Sequence, residues 1–252
     1  MTGMKRLLGV ILVGALVTGL NFRGSWLQAE IALEVNGPKT VGQRVTQYGT
    51  IVDQRLKPAF AAAGIVYPPA ELTLVILKQE RIMELYAAGK HGDLLHYIKS
   101  YPILAASGRL GPKLQQGDDQ VPEGIYAVDS LNPNSHYHLA LHVDYPNAFD
   151  RAQARTDGRT QLGGDIMIHG NAVSIGCVAM GDPASEDLFV LAARTGLPQV
   201  RLLFCPLDFR LTKADPGGLD LPTWTPQLYA TLAQALATLP LPPAATTSSS
   251  PP

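Results

Sequence analysis

Between Leu72 and Phe204 the apolar residues of this chain come in short runs, separated by loops rich in Gly, Pro and Asn. Runs of that length suit strands and fall short of helices, so the middle of the chain is expected to be mostly β. The strand candidates are Leu72 to Leu77, Ile82 to Ala87, His96 to Ile98, Ile103 to Ala106, Ile125 to Val128, Leu139 to Val143, Asp165 to His169 and Val200 to Phe204. Ser107 to Lys113, Gly117 to Gly124 and Leu131 to Ser135 read as loops, Pro133 included. Long loops on a sheet are where binding residues gather.

Helices are expected at the flanks. Val45, Ile51, Val52, Leu56 and Phe60 recur at helical spacing across Val41 to Ala63, and Gly64 ends the pattern. Asp182 is a candidate N-cap with Pro183 at the first helical position, for a helix running to Thr195 before Gly196. A further helix is expected from Pro226 to Leu239. The fold class is therefore mainly β with flanking helices.

Lys5 and Arg6 precede an uncharged run from Leu7 to Leu20, which suits a signal-peptide core better than the roughly 20 residues of a spanning helix. Residues 1–29 are expected to be a signal peptide cut after Ala29, or an uncleaved membrane anchor, since Leu27 is a poor residue for the upstream small position. An exported protein follows, placed in the periplasm or cell envelope. The remaining divisions are a helical lead-in at 36–65, a main domain at 66–213, a C-terminal helix at 214–240 and a disordered tail at 241–252 rich in Pro, Ser, Thr and Ala. At 252 residues and 46% hydrophobic, the chain carries enough apolar material for one sizeable core. A net charge of −1 gives no electrostatic case for nucleic acid. A monomer is expected.

The chemistry concentrates in Ile166 to Met180, where a short apolar run delivers His169 and Gly170, and a loop of small residues then brings Ser174, Gly176 and Cys177. A neutral imidazole can take the thiol proton, and the imidazolium so formed would favour thiolate near neutral pH. Gly176 allows a backbone that other residues resist, and the N–H groups of Gly176 and Cys177 are candidates for an oxyanion hole. Ser174 can serve the substrate or simply satisfy the loop. Cys205 lies in an apolar run and reads as a buried thiol, and a Cys177 to Cys205 bridge is disfavoured in a chain of this size.

The order His-Gly and then Ser-x-Gly-Cys after a β run resembles the L,D-transpeptidase catalytic domain of the YkuD type. Ser107 to Lys113, Gly117 and Asp118, Gln120 to Gly124, Leu131 to Ser135, Tyr145 to Ala148 and Asp150 to Ala152 resemble, in order, the YafK-like murein L,D-transpeptidase branch. The similarity covers roughly residues 70 to 205. It implies a β-sheet catalytic domain whose cysteine loop opens onto a groove, with Cys177 as nucleophile and His169 as base. The implied reaction is acyl transfer on diaminopimelate-containing peptidoglycan stems through a thioester. Hydrolysis of the same class of bond is the alternative, either as an amidase releasing a wall-anchored lipoprotein or as an L,D-carboxypeptidase. A non-catalytic wall-binding protein is the third reading.

Two positions depart from the broader family. Its members carry a histidine two residues before the nucleophile and an arginine two after it, where this chain has Ile175 and Ala179. A substrate carboxylate must then be met elsewhere, with Arg109, Lys113 and Arg151 as candidates and Gly170 and His138 also expected along the groove. His136, His138 and His142 share one face of a strand by parity and could gather zinc, but a polar face explains them better, so neither metal nor cofactor is expected.

Overall fold

The computed structural model describes residues 37–212 and 220–243. The proposed signal or anchor segment at 1–29 and the tail beyond 243 lie outside the described residues. Among the described residues no helix is long and apolar enough to cross a membrane.

Among the described residues nine strands form one mixed sheet in the order β3-β2-β1-β9-β5-β6-β7-β8-β4. In chain order they are β1 (Glu71–Leu77), β2 (Ile82–Ala88), β3 (His96–Pro102), β4 (Ala105–Ala106), β5 (Gly124–Ser135), β6 (His138–Val143), β7 (Met167–His169), β8 (Val178–Ala179) and β9 (Val200–Cys205). The β1–β9 and β7–β8 pairs are parallel, and the other neighbours are antiparallel. Among the described residues four α-helices accompany the sheet: α1 (Val41–Ala62), α2 (Ala148–Thr156), α3 (Asp182–Thr195) and α4 (Thr225–Ala237).

Strand alternation explains how one sheet carries apolar clusters on both faces. Leu72, Leu74 and Ile76 of β1, with Leu202 and Phe204 of β9, pack under Val52, Leu56 and Phe60 of α1 and Leu188 and Leu191 of α3. Val75, Leu77, Leu203 and Cys205 point the other way, toward Leu228, Tyr229, Leu232 and Leu236 of α4. Central strands covered on both sides read as near-continuous apolar runs, as β1 does apart from Glu71 and Thr73.

Helix α1 starts where its sequence pattern predicts, behind a capping box made by Thr40 and Gln43. The start of α3 differs from expectation. Its N-cap is Gly181, and Asp182 stands inside the first turn, where its Oδ1 accepts a hydrogen bond from the Asn171 N–H at 2.8 Å. The carboxylate thus ties the helix to the turn after His169 instead of capping its own helix.

Two elements carry weaker sequence signals. Helix α2 has almost no apolar stripe and is set by a capping box between Asn147 and Asp150. Strand β5 continues through Leu131 to Ser135, which the sequence marks as a loop because of Pro133. The register shifts between Asn132 and Ser135, so the missing proline N–H costs no regular ladder bond there. The Pro133 carbonyl instead accepts from Arg44 Nε of α1 at 2.8 Å.

Candidate active site

The sheet brings the two halves of the Ile166 to Met180 stretch side by side. Strand β7 ends at His169 and β8 begins one residue after Cys177, with Ile168 opposite Val178 and His169 opposite Ala179. Cys177 stands one residue before the paired segment, with its sulfur against the backbone of the stretch that leads into His169.

His169 is buried, with 1% of its surface exposed. Its Nδ1 lies 2.6 Å from the Gly170 carbonyl oxygen. A carbonyl only accepts, so Nδ1 carries the proton and the neutral ring keeps its lone pair on Nε2. The Tyr137 ring stacks on the imidazole with centroids 4.8 Å apart and planes 30° from parallel. Burial pulls the His169 pKa below the ordinary histidine value, against the opposing pull of the Gly170 carbonyl.

Cys177 is half-buried, and both it and Cys205 are free thiols. The Cys177 thiol donates to the Asp165 carbonyl at 3.6 Å. Burial pushes its pKa up, the Asp165 carboxylate adds to that, and the Met167 backbone N–H and the Lys113 charge act the other way. The sequence suggests a thiolate beside an imidazolium. Desolvation favours the opposite resting state, a neutral thiol beside a neutral imidazole, because each charged form would stand in a poorly hydrated place.

The cysteine loop is pinned by two serines. Gly176 N–H reaches Ser107 Oγ at 2.6 Å, Ser107 Oγ lies 3.1 Å from Ser174 Oγ, and Ser174 Oγ donates to the Cys177 carbonyl at 2.6 Å. The order of donors is fixed, since the carbonyl must accept and each hydroxyl has one proton. Ser174 therefore serves the loop. The Gly176 amide, a candidate oxyanion donor in the sequence, is already engaged by Ser107, which leaves the Cys177 amide as the candidate. Gly176 has φ +93°, a conformation that side chains rarely adopt, so the turn into Cys177 needs glycine. Gly170 is required for a different reason: a Cβ there would stand 2.6 Å from Asp182 Oδ1 and 2.8 Å from His138 Cβ.

The expected substrate cations separate into three situations. Lys113 is buried and held by Asp118 and the Gln115 carbonyl, so it is not available to a substrate carboxylate. Arg151 is exposed beside Tyr145 and Asn147, and its guanidinium donates to the Pro146 carbonyl. Arg109 is exposed and lines a cleft of about 340 Å³.

The three histidines do not converge. His138 Nε2 meets Glu186 Oε1 of α3 at 3.1 Å, whereas His142 Nδ1 meets Asp129 Oδ1 of β5 at 2.8 Å. His138 is thereby held against α3 and packs edge-on to Tyr48 of α1. Among the described residues no group of three or more His, Cys, Asp or Glu is placed to hold a metal ion. Ser107 and Asp165 escape sequence reasoning as site residues, because Ser107 acts on the cysteine loop from a distant stretch of chain and Asp165 acts through its backbone carbonyl.

A protein from Escherichia coli (strain K12), YafK, provisionally named an L,D-transpeptidase, is 39% identical over 145 residues, and its counterpart from strain O157:H7 matches equally. The match covers 56% of this chain and 55% of the relative, so the chain spans about half the length of the curated relatives it matches. Among solved structures, the helical cell shape determining protein Pgp2 of Campylobacter jejuni is 23% identical, with 53% of this chain and 47% of that one covered at a TM-score of 0.41. L,D-transpeptidase 1 of Mycobacterium tuberculosis is 13% identical, with 54% and 62% covered at a TM-score of 0.31. Likenesses this remote say nothing about the chemistry of this chain. The model of the YkuD family, the L,D-transpeptidase catalytic domain, matches residues 71–200, which span β1 to the first residue of β9 and include His169 and Cys177. The chain belongs to the YkuD family of L,D-transpeptidase catalytic domains.

Proposed function

We propose that this protein is a cysteine acyltransferase acting on diaminopimelate-containing peptide stems of peptidoglycan, with Cys177 as nucleophile and His169 as general base. The observation that carries the reading is the tautomer of His169: its Nδ1–H is spent on the Gly170 carbonyl, so its lone pair is presented at Nε2. The pairing of β7 with β8 supports it, since it draws together the stretches that carry His169 and Cys177.

With both groups neutral at rest, proton transfer accompanies attack. The Cys177 proton passes to Nε2 while sulfur bonds to the scissile carbonyl carbon, and the oxygen takes up the carbonyl electron pair. The Cys177 backbone N–H is the donor suited to that oxyanion, since the Gly176 N–H is held by Ser107. Collapse breaks the C–N bond, and the imidazolium returns its proton to the departing amine. A thioester remains. An acceptor amine, deprotonated by His169, then forms a new amide and frees the thiol. Water in the same place gives hydrolysis, so amidase or carboxypeptidase activity differs only in the acceptor. Such substrates place the working protein in the periplasm or cell envelope, reached through the segment at 1–29, with a wall-anchored lipoprotein as one source of the bond.

Purified sacculi incubated with the protein test this reading, with muropeptides read by mass spectrometry. New cross-links identify the transferase and released peptides the hydrolase, and both vanish in Cys177→Ala. Equal product from Cys177→Ala overturns the mechanism.

A further inference from the structure

Beside the cysteine loop lies the cleft of about 340 Å³ lined in part by Arg109, Asp118, Gln120, Arg159, Asp220 and Leu221. One lining residue, Gln120, reaches the cysteine loop through its backbone. The Gln120 carbonyl oxygen stands 3.6 Å from where a Cβ on Gly176 would be, one residue before Cys177.

The lining is firmly built. The Gln120 side chain accepts from the Arg109 N–H at 2.9 Å and donates to the Arg109 and Gly111 carbonyls, which fixes the loop presenting Arg109. A Cβ on Gly111 would stand 2.7 Å from a Leu221 methyl, so the segment beginning at Asp220 is seated on that same loop.

Four charged side chains line the space, and two are already satisfied. Asp118 holds Lys113 and accepts from the backbone N–H groups of Leu114, Gln115 and Gln120, which keep its carboxyl below the usual range against burial. Arg159 is spent on Asp157 and the Leu114 carbonyl. The remaining two, Arg109 and Asp220, have no side-chain partner among the described residues. One cation and one anion are therefore left facing one cleft. A ligand with a single charge would match only one of them, whereas an α-amino carboxylate matches both.

We propose that this cleft is a subsite for a zwitterionic α-amino carboxylate, the free end of a diamino-acid side chain, with its carboxylate on Arg109 and its ammonium on Asp220. The assignment rests on the peptide-stem reading above and supplies a carboxylate contact to a loop that has Ala179 where the broader family has arginine.

Lysine and diaminopimelate differ by that one carboxylate, which makes the test direct. Calorimetric binding of tetrapeptide stems is measured on the Cys177→Ala protein, so that affinity is read without turnover. The diaminopimelate stem is expected to bind at least about tenfold more tightly than the lysine stem, as loss of one charge-assisted contact implies. Adding Arg109→Gln should collapse that ratio toward one. N-acetylation of the free ammonium should weaken binding in the same way, and Asp220→Asn should abolish the penalty. A preference that survives Arg109→Gln, or equal binding of the two stems at the outset, overturns the assignment. Because the nucleophile is absent from this assay, a failed acylation experiment overturns the acyl-transfer reading alone.

Discussion

His169 and Cys177 sit where burial raises the thiol pKa and lowers the imidazole pKa, and this pair of directions makes a distinctive chemical prediction. Alkylation of Cys177 by iodoacetamide, followed against pH, should show a midpoint above the ordinary cysteine value of about 8.5. A midpoint below about 7 would mean a resting thiolate. The proposed mechanism needs neutral His169, so kcat/KM should rise with pH through a midpoint below the ordinary histidine value of about 6.5 and then level off. Tyr137 supplies a second check. Its ring covers one face of the imidazole, and removing it admits water. Tyr137→Ala should lower kcat by roughly tenfold, about 1.4 kcal/mol, with little change in KM. The acid midpoint should move up toward that of a solvated histidine. An unchanged midpoint would show that the stacked ring does not set the environment of the base. These residue-scale features are unevenly legible in the sequence. His169, Cys177 and the need for Gly176 follow from local spacing. The burial of Lys113 by Asp118 and the capture of the Gly176 amide by Ser107 depend on loop closure across the chain, which spacing does not encode.

Helix α2 shows how an element can form with little apolar patterning. Asn147 accepts from the N–H groups of Phe149 and Asp150, and Asp150 returns a bond to the Asn147 N–H at 2.9 Å. The same Asp150 carboxyl is buried against Tyr126, and burial pushes its pKa up to about 6. A folded-state pKa above the unfolded value means that the fold favours the protonated acid. The stabilisation is fully present below about pH 4 and is lost as pH rises through about 6. Asp150→Asn keeps an acceptor for the cap and removes the titration. Its urea midpoint relative to the parent should be higher at pH 8 than at pH 5, and a difference independent of pH would contradict the assignment. The strands of the central sheet are readable because β1, β2 and β9 are largely apolar runs. The ends of the sheet are not. Strand β8 is only Val178–Ala179, and β5 runs through Pro133 because α1 takes up the carbonyl that a loop would have left to water.

The C-terminal helix α4 and the loops that line the cleft belong to one structural unit although they are far apart in sequence. Glu123, buried, pairs with Lys78 at 2.9 Å, accepts from the Gly111 N–H at 2.7 Å and receives the Tyr229 hydroxyl of α4 at 2.8 Å. Lys78 also donates to the Gly111 and Val121 carbonyls. The loops beside the candidate cleft are thus fastened through the sheet to the helix on its far face. Leu232 is fully buried in that far-side cluster, and Leu232→Ala should cost about 2–5 kcal/mol in a denaturant titration. A loss under about 1 kcal/mol would mean that α4 is not integral to the domain. The proposed chemistry requires a covalent acyl-enzyme, and intact-protein mass spectrometry after brief incubation with a diaminopimelate tetrapeptide stem tests it most directly. The account predicts an acyl adduct located on Cys177 by peptide mapping, released by hydroxylamine and absent in Cys177→Ala. Turnover of the stem by Cys177→Ala, or an adduct on another residue, would contradict it.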